Sequence, residues 1–201
     1  MDAIIFDIDG TLLQSDATDD VMYLEAVREV LGSVSLRPTW SMYTQFTAAG
    51  ILAEILHDNG IDKTVATVTA VRDRFVANVL GYVSEHGAFV EIPGAKAFVE
   101  SLHNSPQHRV AYAAGGWRGA ALLKLSGAGF PVAGIPLVTS DDHCERQEIM
   151  LLALRQLTGD FSTITYYGDG HWDVAAAKAL GWQFVAVGKK LNGLAKYDMW
   201  L

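Results

Sequence analysis

The chain has 201 residues, half of them apolar, which is enough to bury a sizeable core and excludes disorder as the main state. Lys and Arg number 15 against 23 Asp and Glu, a formal net charge of −8, so a nucleic-acid backbone or an anionic membrane is repelled on average. A small phosphorylated molecule is not excluded, because a metal and a few cations can hold an anion inside an acidic protein.

The single cysteine, Cys144, can build neither an internal disulfide nor a Cys-rich zinc site. No basic leader precedes the first apolar run, and no apolar stretch approaches the roughly 18 residues that cross a bilayer. The expectation is a cytoplasmic protein without membrane or nucleic-acid partners.

In chain order, a buried strand is predicted over Ala3 to Phe6. Apolar residues then recur at helical spacing over Asp19 to Leu31, Trp40 to His57 and Val65 to Ser84, with Asp58-Asn59-Gly60 ending the second helix and Asp62 or Thr64 capping the third. From there helices and strands alternate. Helices are predicted over Gly94 to Asn104, Trp117 to Ser126, Glu145 to Leu157 and Asp173 to Leu180, and strands over Arg109 to Ala114, Pro136 to Thr139, Thr163 to Tyr167 and Gln183 to Val187. The alternation implies a doubly wound α/β parallel sheet. Residues 16–89 read as an all-helical insertion capping a sheet domain made of 1–15 and 90–201.

The first strand runs into Phe6-Asp7-Ile8-Asp9-Gly10-Thr11-Leu12, which puts two carboxylates just past the carboxyl edge, where open α/β sheets bind ligands. Asp-Gly by itself is an ordinary turn signal. The whole string resembles the first motif of the haloacid dehalogenase superfamily, and a Rossmann-like core with a small helical cap is the fold this implies. By the resemblance, Asp7 attacks phosphorus to form an aspartyl phosphate, and Asp9 protonates the leaving oxygen and later deprotonates the attacking water. Dehalogenating members lack the second aspartate, so Asp9 points away from carbon–halogen chemistry.

Gly168-Asp169-Gly170-His171-Trp172-Asp173 resembles the family's G-D-x-x-x-D motif. The resemblance implies Mg²⁺ held by the Asp7 carboxylate, the Asp9 backbone carbonyl and Asp169, with Asp173 supporting the site; all-oxygen ligation suits this hard cation. Asp173 also reads as a helix cap. Arg146 is the candidate for the family's cation, or else a surface arginine paired with Glu145 or Glu148. Asp141 and Asp142 read first as caps of the helix that follows them, the alternative being that one of them supports the metal, and Trp117 either touches substrate or packs under the cap.

The second motif departs from the family: where Ser or Thr is expected, the chain has Ala114, followed by Gly115-Gly116-Trp117-Arg118. The amides of Gly115 and Gly116 and the side chain of Arg118 are then the candidate phosphate contacts. His57, Lys63, Arg72 and Arg74 of the insertion read as solvated helix residues or as substrate readers.

The whole pattern is similar to phosphoglycolate-phosphatase-like and β-phosphoglucomutase-like members. The expected activity is Mg²⁺-dependent hydrolysis of a small phosphorylated metabolite. A sugar-phosphate mutase using the same nucleophile, and a weakly catalytic binding or regulatory protein motivated by Ala114, stand as alternatives.

Overall fold

The computed structural model describes residues 1–198. Five parallel strands form one sheet in the order β3-β2-β1-β4-β5: β1 (Asp2–Phe6), β2 (His108–Ala113), β3 (Leu137–Val138), β4 (Thr163–Gly168) and β5 (Gln183–Ala186). β1 lies at the centre because it is apolar on both faces, with Ile5 in one buried cluster and Ile4 and Phe6 in the other. After β3 the chain crosses over β1 to lay down β4 and β5 on its other side. That reversal opens a crevice at the carboxyl end of β1, between β2 and β4.

The helices are α1 (Asp16–Leu31), α2 (Ala48–Asp58), α3 (Val65–His86), α4 (Ala95–His103), α5 (Arg118–Gly127), α6 (Arg146–Arg155) and α7 (His171–Leu180). α1 to α3 fall between β1 and β2 and add no strand to the sheet. The two connections to this helical insertion run side by side, since Gln14 N–H donates to Val90 O and Ile92 N–H to Leu12 O, each at 2.8 Å.

One predicted helix is broken. Trp40 to His57 resolves into a 3₁₀ turn at Trp40–Met42 and then α2, with Thr47 between them in extended conformation. Thr47 Oγ1 accepts from Gly50 N–H at 3.1 Å and so caps α2. The Glu54 carboxylate reaches back to the N–H groups of Thr44 and Gln45, offering them a partner that a continuous helix would have replaced. Thr64, one of the two candidate caps, caps α3 by accepting from Thr67 N–H.

Trp117, 1% exposed at the start of α5, wedges between sheet and insertion. It stacks on Tyr23 of α1 at 5.6 Å and lies 5.5 Å from the Phe75 ring of α3. Truncation would leave a large cavity where the start of α5 packs against α1 and α3. Trp117→Ala is therefore expected to lower unfolding free energy by about 3–5 kcal/mol, read from urea denaturation.

Candidate active site

Past Phe6 the chain stays in the sheet for one more hydrogen bond, Asp7 N–H to Tyr167 O, and then turns sharply as Leu12 and Leu13 donate back to Ile8 O. The turn needs Gly10, whose φ is +74°, and a side chain there would overlap the Asp169 carboxylate. The residue just after the second aspartate thus dictates how closely Asp169 can approach.

Asp7, Asp169 and Asp173 are all buried, and a carboxylate oxygen of each lies within 4.8 Å of the others. Arg146, at the first position of α6, answers that charge: its Nη1 donates to Asp7 at 3.2 Å and its Nε lies 3.4 Å from Asp173. Burial pushes the Asp7 carboxyl well up; Arg146 opposes this, and Asp173, Asp169 and Asp9 add to it. Burial likewise raises Asp173 against the pull of Arg146. The guanidinium itself is held firmly charged, because Asp173 and Asp7 outweigh its own desolvation. Gly115 has no room for a side chain, since a Cβ would meet Arg146 Nη2 at 2.6 Å. Asp173 also accepts from Gly170 N–H at 3.1 Å, so it serves α7 as a cap as well.

Asp9 sits in a second ionic group. Its Oδ1 takes bonds from Ser15 Oγ and, at 2.5 Å, from Lys124 Nζ, which also holds Asp19 at 2.7 Å. Lys124 is 1% exposed, yet Asp19 and Asp9 overcome the desolvation penalty and keep its ammonium charged. Burial, with the Asp9 charge, lifts Asp19 to about 7. The other Asp9 oxygen faces Gly116, where a Cβ would lie 3.8 Å from it.

Gly115 and Gly116 line the cavity, and among the described residues their N–H groups donate to no protein acceptor. The Ala114 methyl packs in the core and is 1% exposed. Arg118 does not join the site: Nη1 donates to Leu137 O at 2.8 Å and Nη2 to Asp142 at 2.6 Å. Asp141 caps α5, by accepting from Arg118 N–H at 2.7 Å, and not the helix after it. Asp142 turns back onto Thr139 N–H.

The donor set of Asp7, Asp169 and Asp173 fits a hard divalent cation, being all carboxylate, buried and convergent. Burial lifts Asp169 to about 6, although Lys190 Nζ stands 2.8 Å from it and 2.8 Å from Asp16.

A cavity of about 350 Å³ opens above this floor, walled by α1, the 3₁₀ turn, the start of α2 and Trp172. Phe46 stacks on Trp172 at 4.4 Å. His57, Lys63, Arg72 and Arg74 lie outside it. Sequence reasoning missed Lys124, Asp19, Asp16 and Lys190. Lys124 was detectable as a lysine in the apolar stripe Trp117, Ala120, Ala121, Leu125; Lys190 carries no comparable signal.

A family model described as haloacid dehalogenase-like hydrolase matches residues 1–181. Among solved structures, a hydrolase from Pseudomonas syringae is 20% identical, covers 92% of this chain and 84% of its own, and superposes with a TM-score of 0.72. A variant of CbbY from Rhodobacter sphaeroides, in complex with xylulose-(1,5)bisphosphate, is 21% identical over 98% of this chain and 88% of its own, with a TM-score of 0.70. A β-phosphoglucomutase-like protein from Thermotoga maritima is 23% identical over 97% and 89%, with a TM-score of 0.57. At these identities the likeness establishes the fold. No curated protein matches in sequence. Among the described residues no helix is long and apolar enough to cross a membrane.

Lys124→Met should strand two carboxylates and cost about 3–5 kcal/mol of stability near pH 8. The folded Asp19 carboxyl keeps a proton that the unfolded chain releases from 3.8 upward, so stability falls as pH rises through the window from there to about 7. The deficit is accordingly expected to be smaller at pH 5 than at pH 8 in chemical denaturation.

Proposed function

Because the chain belongs to the haloacid dehalogenase-like hydrolases, we propose that it is a phosphatase acting on a small phosphorylated metabolite, with Asp7 as nucleophile and Asp9 as acid and base. The observation that carries this reading is the buried meeting of Asp7, Asp169 and Asp173 beside Arg146.

In the first step a bond forms between an Asp7 oxygen and phosphorus while the bond to the alcohol oxygen breaks, and Asp9 gives that oxygen a proton. In the second, Asp9 takes a proton from water as the water oxygen attacks phosphorus and frees Asp7. Arg146 and the unpaired amides of Gly115 and Gly116 hold the phosphoryl oxygens whose charge grows in each transition state. Those two amides take the place of the hydroxyl that Ala114 lacks.

Mg²⁺ would be held by Asp7, the Asp9 carbonyl and Asp169, with Asp173 at hand, and would neutralise phosphate charge. The Lys124 ammonium fixes one Asp9 oxygen, leaving the other toward Gly116 and the cavity. The insertion excludes bulk water and supplies the contacts that choose the alcohol.

Hydrolysis of 4-nitrophenyl phosphate is expected to require Mg²⁺ and to fall to background in Asp7→Asn, since an amide neither attacks phosphorus nor carries charge for the metal. Activity surviving in that variant overturns the mechanism. Because binding a cation must displace protons from carboxyls that burial raises, Asp7 as well as Asp169, apparent Mg²⁺ affinity should rise with pH and fall by at least roughly tenfold per unit below pH of about 6. Titration of activity with Mg²⁺ at pH 5, 6 and 7.5 checks the sign, and Asp169→Ala should weaken binding at each pH.

A further inference from the structure

The floor of the cavity suits a phosphoryl group; its walls must suit whatever the phosphate is attached to. Asp16, Asp19 and Asp20 of α1 line those walls together with Tyr23 and Trp40. Apart from the Trp172 indole N–H and the floor amides of Gly115 and Gly116, the neutral donors there are already spent. Tyr23 Oη donates to Ala48 O at 2.9 Å, Thr47 Oγ1 to Cys144 O at 2.5 Å, and Trp40 Nε1 to Asp20 Oδ2 at 2.9 Å. Among the described residues no Ser, Asn, Gln or His side chain lines the cavity. A sugar needs donors as well as acceptors around its hydroxyls, and these walls leave chiefly acceptors.

The two cations that line the cavity, Arg146 and Lys190, each face carboxylates other than Asp20. Arg146 is committed to Asp7 and Asp173, and Lys190 to Asp16 and Asp169. Among the described residues no cation pairs with Asp20. A second phosphate or a carboxylate on the substrate would meet that unpaired negative charge, a repulsion that selects against it. A positively charged nitrogen would find a carboxylate that holds one indole N–H but no cation, with the Trp40 and Tyr23 rings in the same wall.

Resting on the phosphatase reading above, we propose that the substrate is the phosphate monoester of a small alcohol bearing a positively charged nitrogen, seated against Asp20, Trp40 and Tyr23. The phosphorus–oxygen bond breaks, the amino alcohol leaves with the proton from Asp9, and the water oxygen ends on phosphate.

Choline phosphate and 3,3-dimethylbutyl phosphate, its uncharged carbon isostere, separate charge from shape; phosphoglycolate supplies the anionic arm and 4-nitrophenyl phosphate the control. With Mg²⁺, kcat/KM for choline phosphate should exceed that of the isostere by about tenfold, with phosphoglycolate poorest. In Asp20→Asn the preference for charge should shrink toward one. Turnover of the aryl phosphate with no preference for choline phosphate, or with phosphoglycolate preferred, overturns the inference and leaves the phosphatase reading standing.

If no ester is hydrolysed, the phosphatase reading fails and binding decides the inference. Calorimetric titration of Asp7→Asn should show choline phosphate bound about tenfold more tightly than the isostere, a difference lost when Asp20→Asn is added. Equal binding overturns it.

Discussion

Three carboxylates confined within 4.8 Å of one another at a buried sheet edge repel one another and have lost most of their water, so cations must be built into the same place. Arg146 comes from the start of α6, Lys190 from the turn after β5, and Lys124 from the middle of α5 to answer Asp9 and Asp19. Each enters from a different strand–helix unit. The site is therefore complete only when the sheet has its full order, with β1 between β2 and β4. Gly10 and Gly115 belong to the same requirement, because side chains there would occupy the space that Asp169 and Arg146 use.

Much of this was legible in the sequence because it is local. Strand runs bounded by Gly and Asp mark β1, β2, β4 and β5 to within a residue or two, and the pairs Asp7/Asp9 and Asp169/Asp173 are fixed by spacing along one turn each. What depends on distant partners was not legible. Trp40 to His57 has helical periodicity throughout, but Thr47 and Glu54 bond the backbone in a way periodicity does not register. Arg118 stands two residues after Gly116 in sequence, yet Leu137 O and Asp142 of the β3 connection draw its guanidinium elsewhere. Asp141, read as a cap for the next helix, caps the previous one. Lys124 lies over a hundred positions from Asp9, and only its place on an apolar stripe hints that it is buried.

The division of labour between layers follows from chemistry as much as from packing. Sheet loops hold groups that any phosphoryl transfer needs, with charges paired and positions locked. The insertion supplies Asp20, Tyr23 and Trp40, none of which is ion-paired to the site's cations, whereas its Asp16 and Asp19 are tied to the site through Lys190 and Lys124. Trp117 joins the two, since one indole packs under both α1 and α3 from the loop that carries Gly115 and Gly116. A change of substrate can therefore be made in one layer while Trp117 holds the other in register.

The start of α2 is also tied across the cleft, through Ala48 N–H to Gly115 O at 2.8 Å and Thr47 Oγ1 to Cys144 O. The insertion is thus held here too, besides its two chain connections, the Trp117 packing and the Lys124 and Lys190 ion pairs, and these bonds bridge the mouth like stitches. Swinging the insertion away would break both at once. Ligands larger than the existing opening must wait for that rupture, so small molecules should exchange freely and bulky ones at the pace of the seam.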